Sequence, residues 1–338
     1  MSAPDVSVIL PLYNDRETLP AVLAALAAQR TARRVEVIVV DDGSTDGGPA
    51  LVAAPVRLVT QANAGPAAAR NRGAEAAGGA LLLFLDSDCV PPPDWIERMA
   101  AAVTGRFDAV MGTIRAANDG VVPRLVQLEV EDRYRGMAAA TGGVDFIAAP
   151  ACGVRAEVFR ALGGFDARLR TAEDVEFAYR LTAAGHRIAF TDRVPVAHAH
   201  QRTWGQFLRA KHQRALGRLR VFALFPAKMR RDSWTPLSLK LQFACVALAL
   251  ALALPALALP PVGPLLVAAL LASAVALGWP LVRATARAER SLIGYGPGLA
   301  VGAAFVLLRA AVILLALVQL RLGRRHRTAA PPARAAAE

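Results

Sequence analysis

The sequence contains few cysteines, and the three that it has lie far apart. Cys89, Cys152 and Cys245 form neither a disulfide pattern nor a spaced set of metal ligands. This argues against a small domain held together by disulfides and against a cysteine-based zinc module. The scattered thiols suit a reducing cytosol.

The first ten residues also lack the basic and apolar regions of a signal peptide. We therefore expect the first strand to begin almost at once and the N-terminal domain to remain cytoplasmic. No internal repeat is recognisable along the chain.

Acidic residues are missing from 204–225, where a helical pattern carries only basic charges among apolar residues. The chain has a net charge of +12, and the excess lies beside hydrophobic segments. This distribution favours membrane phospholipid over nucleic acid as a partner. An interfacial helix against anionic headgroups is the prediction, and a solvated basic face is the alternative. The basic residues are Arg209, Lys211, Arg214, Arg218 and Arg220.

Long apolar runs near the C-terminus predict transmembrane helices. Residues 241–259 and 262–282 are uncharged, and 298–320 carries Arg309, which must snorkel or face other helices. A third crossing would place the arginines that follow this run outside the cell, against the positive-inside rule. The third segment is therefore either re-entrant or interfacial, or it crosses the membrane and the rule is broken. We expect a multi-pass inner-membrane protein with a cytoplasmic catalytic domain. Its regions are a catalytic domain (1–200), a basic amphipathic segment (201–236), a transmembrane region (237–322) and a disordered tail (323–338).

Strands in the first half of the chain end in polar residues. The apolar runs 6–10, 35–40 and 81–85 alternate with polar turns and helical patterns. This order predicts an α/β fold with a mostly parallel sheet. Ligands of such sheets bind beyond the carboxyl ends of the strands.

Two carboxylates follow the third of these strands directly. Asp86 and Asp88 can share a ligand only if the chain turns at Ser87, because side chains alternate along a strand. That arrangement suits Mn²⁺ or Mg²⁺, although solvated surface acids are the ordinary alternative. Asp41 and Asp42 end the second strand, where they either join this site or cap the next helix.

A turn and a helix start lie between these strands, at 63–73. Its amide groups and the guanidinium groups of Arg70 and Arg72 are suited to an anion such as a diphosphate.

Two further groups of titratable residues lie in 171–200. Thr171 is the predicted N-cap of a helix, with Asp174 at the capping-box position. A carboxylate there stabilises the helix and also stays ionised, as a general base requires. His198 and His200 follow a predicted strand at 194–196 and would share one face if it continued.

The ordered set of motifs resembles the family-2 glycosyltransferases, which have the GT-A fold and use nucleotide sugars. The resemblance covers about residues 5–220 and rests on these matches: Pro11-Leu12-Tyr13-Asn14, Asp41-Asp42-Gly43-Ser44-Thr45-Asp46, Asn63-x-Gly65-x4-Arg70-Asn71-x-Gly73, Asp86-Ser87-Asp88, Gly163-Gly164-Phe165-Asp166 and Glu173-Asp174-Val175-Glu176-Phe177.

The resemblance implies roles for these residues. The turn containing Pro11, Tyr13 and Asn14, with Asp41 or Asp42, would contact the nucleoside, and Arg70 the base or phosphates. Asp86 and Asp88 would hold ribose and metal, with His198 or His200 completing the metal site. Asp174 would be the general base, and the acceptor-side residues would be Gly164, Phe165, Asp166 and Glu173.

We therefore expect a membrane-anchored, metal-dependent, inverting glycosyltransferase that acts on a lipid-linked or cell-envelope glycan acceptor. Gln213 and Arg214 lie where processive relatives carry a Gln-x-x-Arg-Trp motif, but the full motif is absent. This argues against a polymerising synthase. Two alternatives are a nucleotidyltransferase, disfavoured by the lack of an obvious lysine-containing phosphate loop, and a non-catalytic nucleotide-sugar-binding scaffold.

Overall fold

The computed structural model describes residues 3–139, 142–230, 232–288 and 295–328. The chain forms two compact units. The sheet unit comprises 1–202 and 224–236, and the helical unit comprises 203–223 and 237–338.

Strands and helices alternate through the first part of the sheet unit. The strands are β1 (Val6–Leu12), β2 (Val35–Asp41), β3 (Arg57–Thr60), β4 (Leu81–Leu85), β5 (Cys89–Val90), β6 (Ala109–Met111), β7 (Ile114–Ala116), β8 (Ala151–Arg155), β9 (Ile188–Phe190) and β10 (Val196–His198). Within the described residues, the α-helices are α1 (Leu19–Ala27), α2 (Pro66–Ala76), α3 (Trp95–Ala102), α4 (Val121–Ala138), α5 (Ala156–Ala161), α6 (Glu173–Ala183), α7 (Trp204–Leu224), α8 (Pro226–Arg230), α9 (Leu237–Leu252), α10 (Val262–Leu277), α11 (Trp279–Ala288) and α12 (Tyr295–Thr328).

A seven-stranded sheet in the order β3-β2-β1-β4-β8-β6-β9 organises the described part of this unit. All neighbouring strands are parallel except β8, which is antiparallel to both β4 and β6. Leu85, at the end of β4, therefore lies opposite Ala151, at the start of β8. A second sheet has the order β5-β10-β7. The predicted α/β, mostly parallel architecture is confirmed.

Close packing of α2 against the sheet sets the position of its polar residues. β4 is buried along its whole length, as expected for a central strand with both faces covered. Gly73 of α2 lies so close to β1 that an added Cβ would be 2.4 Å from Ile9 Cγ2. Arg70, nearly one turn earlier in the helix, is thereby brought to the carboxyl edge of the sheet.

The helical unit contains the long apolar runs near the C-terminus. α7 occupies almost the range predicted for the basic helix. α9 covers 16 residues, and α10 and α11 meet at a bend of 67° just before Pro280, which cannot continue the hydrogen bonding of the preceding helix. Among the described residues, Gly296–Leu320 is the one unbroken helix that is long and apolar enough to cross a membrane. The bent pair α10 and α11 would be a second such segment if the two helices form one span.

A buried polar pair joins two helices of this unit. Arg309 of α12 is 4% exposed and donates from Nη2 to Oε1 of Gln242 in α9, at 2.6 Å. Its guanidinium therefore faces other helices, one of the two expected solutions. α12 continues to residue 328, inside the predicted tail, and residues 329–338 lie outside the described residues.

Candidate active site

The chain turns immediately after β4. The N–H of Cys89 donates to the carbonyl of Asp86 at 3.0 Å, which closes a turn around Ser87 and Asp88. Ser87 is buried, and its hydroxyl donates to Oδ2 of Asp15 at 2.5 Å. The hydroxyl of Thr18 donates to the carbonyl of Ser87 at 3.0 Å. The turn needed for two convergent carboxylates is therefore present, and residues from the loop after β1 hold it.

Asp15 is a member of this site that the sequence patterns did not single out. Burial raises the pKa of Asp15, the hydrogen bond from Ser87 opposes that rise, and the carboxylates of Asp88 and Asp86 add to it. Three acidic side chains thus meet beyond the end of β4. Such a cluster favours a bound cation.

Asp88 lies next to His198 of β10. Oδ2 of Asp88 and Nε2 of His198 are 3.4 Å apart. Burial raises the pKa of Asp88, but the hydrogen bond and charge of His198 outweigh that effect and leave the pKa below its ordinary value. Cys89 contributes a third ligand atom within 4.8 Å of the other two, yet burial raises its pKa and keeps it a neutral thiol. Among the described residues, Asp88 and His198 are therefore the better pair for a metal ion.

His200 contacts His198 at Nδ1, whereas Nε2 of His198 faces Asp88. Nδ1 of His200 lies 3.2 Å from Nδ1 of His198, and its Nε2 lies 2.9 Å from Oε1 of Gln127. The amide oxygen of Gln127 can only accept, so Nε2 of His200 carries a proton. In a neutral His200, Nδ1 then accepts the Nδ1 proton of His198. Nε2 is then the ring nitrogen of His198 that faces Asp88, and a cation bound between them would take the place of the proton that pairs the two side chains.

Arg70 joins the turn after β4 to the start of α6. It is 4% exposed, and its two terminal nitrogens contact Asp86 Oδ1 at 2.6 Å and Glu173 Oε1 at 2.8 Å. Burial lowers the pKa of Arg70, but the two carboxylates outweigh this and raise it. Arg72 instead points to solvent, paired with Glu75 at 3.2 Å. The structure thus brings Arg70, and not Arg72, into the site.

Glu173 and Asp174 have different environments at the start of α6. Burial raises the pKa of Glu173, Asp174 adds to the rise, and Arg70 opposes it. Asp174 is only half-buried, and its oxygens accept the N–H groups of Val175 at 2.8 Å and Ala149 at 3.0 Å. Asp174 is therefore fixed in position and still accessible.

The predicted N-cap of this helix is wrong. α6 begins at Glu173, and the N-cap position is occupied by Ala172, whose φ of +66° lies in the left-handed region. Thr171 precedes that position, and the carboxylate of Asp174 accepts the backbone N–H of Val175 at 2.8 Å. A left-handed alanine costs about 1–2 kcal/mol, so surrounding contacts hold this turn.

The residues predicted to contact the nucleoside mainly shape loops at the sheet edge. Asp42 is buried and accepts from Gln61 Nε2, Ala64 N and Gly65 N, at 2.7–2.8 Å. It therefore fixes the loop that precedes α2. Asp41, likewise buried, accepts the N–H of Ser44 at 2.9 Å.

The turn after β1 presents two residues to solvent. Tyr13 is 51% exposed, and Asn14 is exposed with a φ of +55°. Asn14 Oδ1 accepts the N–H of Thr45 at 2.8 Å, so the loops after β1 and β2 are tied together. Pro11 lies within β1, opposite Val40, and does not project from the edge.

The predicted acceptor-side residues separate into core and surface. Phe165 is 2% exposed and packs against the rings of Phe84, Phe159 and Phe177, so it belongs to the core. Gly164 has a φ of +69°, which an L side chain rarely adopts. The pKa of Asp166 is lowered, chiefly by its hydrogen bonds to Arg168, an exposed side chain.

A model of the family described as "Glycosyl transferase family 2" matches residues 7–163 of the chain. The glycosyltransferase AglE of Haloferax volcanii is 30% identical over 245 residues, which are 68% of this chain and 77% of that protein. The chain belongs to glycosyltransferase family 2. The matched range includes the acidic turn after β4, whereas α6 lies beyond it.

Two further comparisons extend this result. The undecaprenyl-phosphate 4-deoxy-4-formamido-L-arabinose transferase of Aeromonas hydrophila is 38% identical over 120 residues, 32% of this chain and about a third (36%) of that protein. A solved structure of a mannosyltransferase from Pyrobaculum calidifontis, in complex with GDP-Man and Mn²⁺, gives a TM-score of 0.57 at 22% identity. That likeness covers 94% of this chain and 87% of the archaeal chain and establishes the GT-A fold.

Proposed function

We propose that this protein transfers a sugar from a nucleoside diphosphate to an acceptor hydroxyl, with Asp174 as the general base and a divalent metal held at Asp88. One observation carries the proposal. Arg70 binds both Asp86, in the turn after β4, and Glu173, the neighbour of Asp174. A single buried side chain thus fixes the predicted leaving-group site relative to the predicted base.

The residues at the metal position fit such an ion. Asp88 offers a carboxylate and His198 a ring nitrogen, and both ligand types suit Mn²⁺. His200, itself held by Gln127, contacts Nδ1 of His198, so Nε2 is the ring nitrogen of His198 that faces Asp88 and would bind the ion. We therefore assign His198 to the metal and His200 to its support. A bound divalent ion would offset the charge that develops on the departing diphosphate. The donor complex of the archaeal mannosyltransferase, with Mn²⁺, supports this choice.

The chemical step is a single displacement at the anomeric carbon. Asp174 accepts the proton of the acceptor hydroxyl as its oxygen bonds to that carbon, and the bond from the carbon to the diphosphate oxygen breaks. Direct displacement inverts the anomeric configuration. The backbone hydrogen bonds from Ala149 and Val175 hold the carboxylate of Asp174 in a fixed orientation for this role.

On the donor side, the exposed ring of Tyr13 and the side chain of Asn14 are proposed to contact the nucleoside. Asp41 and Asp42 shape the pocket by holding its loops. Pro11 sets the end of β1 beside them.

The acceptor is proposed to be lipid-linked. The Aeromonas relative is named as an undecaprenyl-phosphate transferase, and this chain carries one helix long and apolar enough to cross a membrane. The basic residues of α7 suit anionic phospholipid headgroups. We propose a multi-pass inner-membrane location with the sheet unit in the cytoplasm.

Replacing the base tests the proposal. Asp174→Asn should lower sugar transfer by roughly 10²–10⁴-fold and leave donor affinity unchanged, since a base acts in the transition state. The Asn side chain has one oxygen to accept the N–H groups of Ala149 and Val175, so the substitution can also change stability. Thermal unfolding of the variant must therefore be measured beside its kinetics. Asp94→Asn, at an exposed carboxylate paired with Arg98 of α3, is the matched control.

The assay follows release of nucleoside diphosphate from GDP- or UDP-sugars, with Mn²⁺ and a lipid-linked saccharide, which offers sugar hydroxyls, in detergent. Acceptor-dependent release by the parent is expected. Pyrophosphate release from a nucleoside triphosphate would indicate nucleotidyl transfer, and binding without turnover would indicate a scaffold. Activity of Asp174→Asn within a few-fold of the parent would refute the base assignment.

A further inference from the structure

Residues 225–230 and 232–236, which we call the strap, belong to the sheet unit although helices of the helical unit flank them in sequence. The strap contains α8 and ends just before α9. Its contacts within the sheet unit involve a loop and a helix that both touch Asp174.

The first anchor of the strap is Asp145. One carboxylate oxygen accepts from the N–H of Ser233 at 2.7 Å and from its hydroxyl at 2.5 Å. The other accepts from Lys228 Nζ at 2.7 Å. The N–H of Asp145 also lies 3.1 Å from the hydroxyl of Ser233. The carboxylate of Asp145 thus contacts the strap at both Lys228 and Ser233.

The second anchor is aromatic. The ring of Trp234 stacks on Phe146, with centroids 4.2 Å apart and planes 11° from parallel. The guanidinium of Arg133 lies 4.7 Å from the centroid of the Trp234 ring, and Tyr134 approaches it edge-on. Trp234 is therefore packed between the loop and α4.

Both anchors lie in the loop that reaches Asp174. Three residues after Phe146, the N–H of Ala149 donates to Asp174 Oδ2 at 3.0 Å. The strap also contacts α6, the helix of Asp174, because Phe225 packs edge-on against Tyr179 and Lys228 Nζ lies 5.1 Å from the Tyr179 ring. The donor to Asp174 and the helix that carries Asp174 are thus both held by the strap.

We propose that the strap is a positioning element for Asp174, with Trp234 and Ser233 as positioning residues that never touch substrate. This inference rests on the proposed function. Release of the strap frees the loop at 145–149, and Asp174 loses its fixed orientation toward the acceptor hydroxyl. Donor binding is unaffected, because the donor-side residues lie on other loops.

Trp234→Ala should lower kcat by about 10–100-fold, the range expected when a reacting group moves by up to about 1 Å. Affinity for GDP with Mn²⁺ should stay within twofold of the parent. Met229→Ala, at a 55% exposed position of the strap, is the matched control and should change neither quantity. If Trp234→Ala does not fold, Ser233→Ala replaces it, with Ser233→Thr restoring activity through its hydroxyl. Unchanged kcat in folded Trp234→Ala or Ser233→Ala overturns the proposal.

A double variant separates this inference from the proposed function. If the strap acts through Asp174, Trp234→Ala should have little further effect in an Asp174→Asn background. An equal fold-loss in both backgrounds overturns the strap proposal and leaves the base assignment standing. If the Asp174→Asn single variant is active, Asp174 is not the general base, and the strap proposal fails together with that assignment.

Discussion

Arg70→Met should destabilise the protein substantially, since Arg70 is 4% exposed and bound to two carboxylates. Asp86 is partly open to solvent and can recover hydration, whereas the side chain of Glu173 is 8% exposed and cannot. Breaking a buried ion pair on one side costs about 3–5 kcal/mol. For a domain of this size that corresponds to a fall in Tm of about 6–20 °C.

The assay is thermal unfolding of the full chain in detergent micelles, followed by tryptophan fluorescence. Arg72→Met is the matched control on the same helix, because Arg72 and Glu75 are both exposed and such a pair contributes about 0–1 kcal/mol. The double variant Arg70→Met/Glu173→Gln should recover most of the loss. A Tm for Arg70→Met no lower than that of Arg72→Met would refute the reasoning.

The pH dependence gives a second check on the same variant. Burial already raises the pKa of Glu173 while Arg70 opposes the rise, so removing Arg70 raises that pKa further. A glutamate whose pKa is higher in the folded state than in the unfolded state, where it is about 4.3, stabilises the folded protein at pH values below that unfolded-state pKa. This stabilisation is lost as the pH rises through the pKa of the folded state. The Tm deficit of Arg70→Met should therefore shrink as pH falls from 8 toward 5. A constant deficit would exclude Glu173 as its source.

Two other outcomes follow from the geometry. Asp88→Asn should abolish the Mn²⁺-dependent part of the affinity for GDP, measured by isothermal titration, and Asp94→Asn is the surface control. If a folded Asp88→Asn variant keeps the metal dependence, Asp88 is not a metal ligand. Gly73→Ala would bring a Cβ within 2.4 Å of Ile9 and should destabilise by about 1–3 kcal/mol, whereas Gly136→Ala, in open space on α4, should stabilise slightly. Equal Tm values for the two alanine variants would contradict the tight packing of α2.

Local patterns were sufficient for the central strands. β1, β2 and β4 are predominantly apolar runs with polar residues at or just after their ends, and each lies where the pattern predicted. Side-chain alternation made a shared ligand of Asp86 and Asp88 conditional on a turn at Ser87, and the structure has that turn. β8 was not predictable, because its short sequence includes Gly153 and Cys152 and has weak strand propensity. Its place beside β4 depends on close packing, since a Cβ on Gly153 would lie 2.5 Å from Leu83 Cδ2.

Partners distant in sequence account for what the motifs missed in the site. Asp15 reaches Ser87 across 72 residues, and Gln127 reaches His200 across 73. The acid at Asp42 was recognised, but its three donors come from a loop about twenty residues later, which no local pattern indicates. These contacts distinguish a residue that faces substrate from one that holds another residue in place.

The reversed direction of β8 has a consequence for how this enzyme can diversify. An antiparallel strand begins at the edge where its parallel neighbours end, so the chain enters β8 at Ala151, beside Leu85. The segment that leads into β8 therefore reaches the same edge as the loops that follow β1, β2 and β4, where Ala149 donates to Asp174 and Gln127 contacts His200. Selection on the proposed base and metal site can act through this segment, whereas selection on the proposed nucleoside contacts acts through the loop after β1, in a separate stretch of the gene.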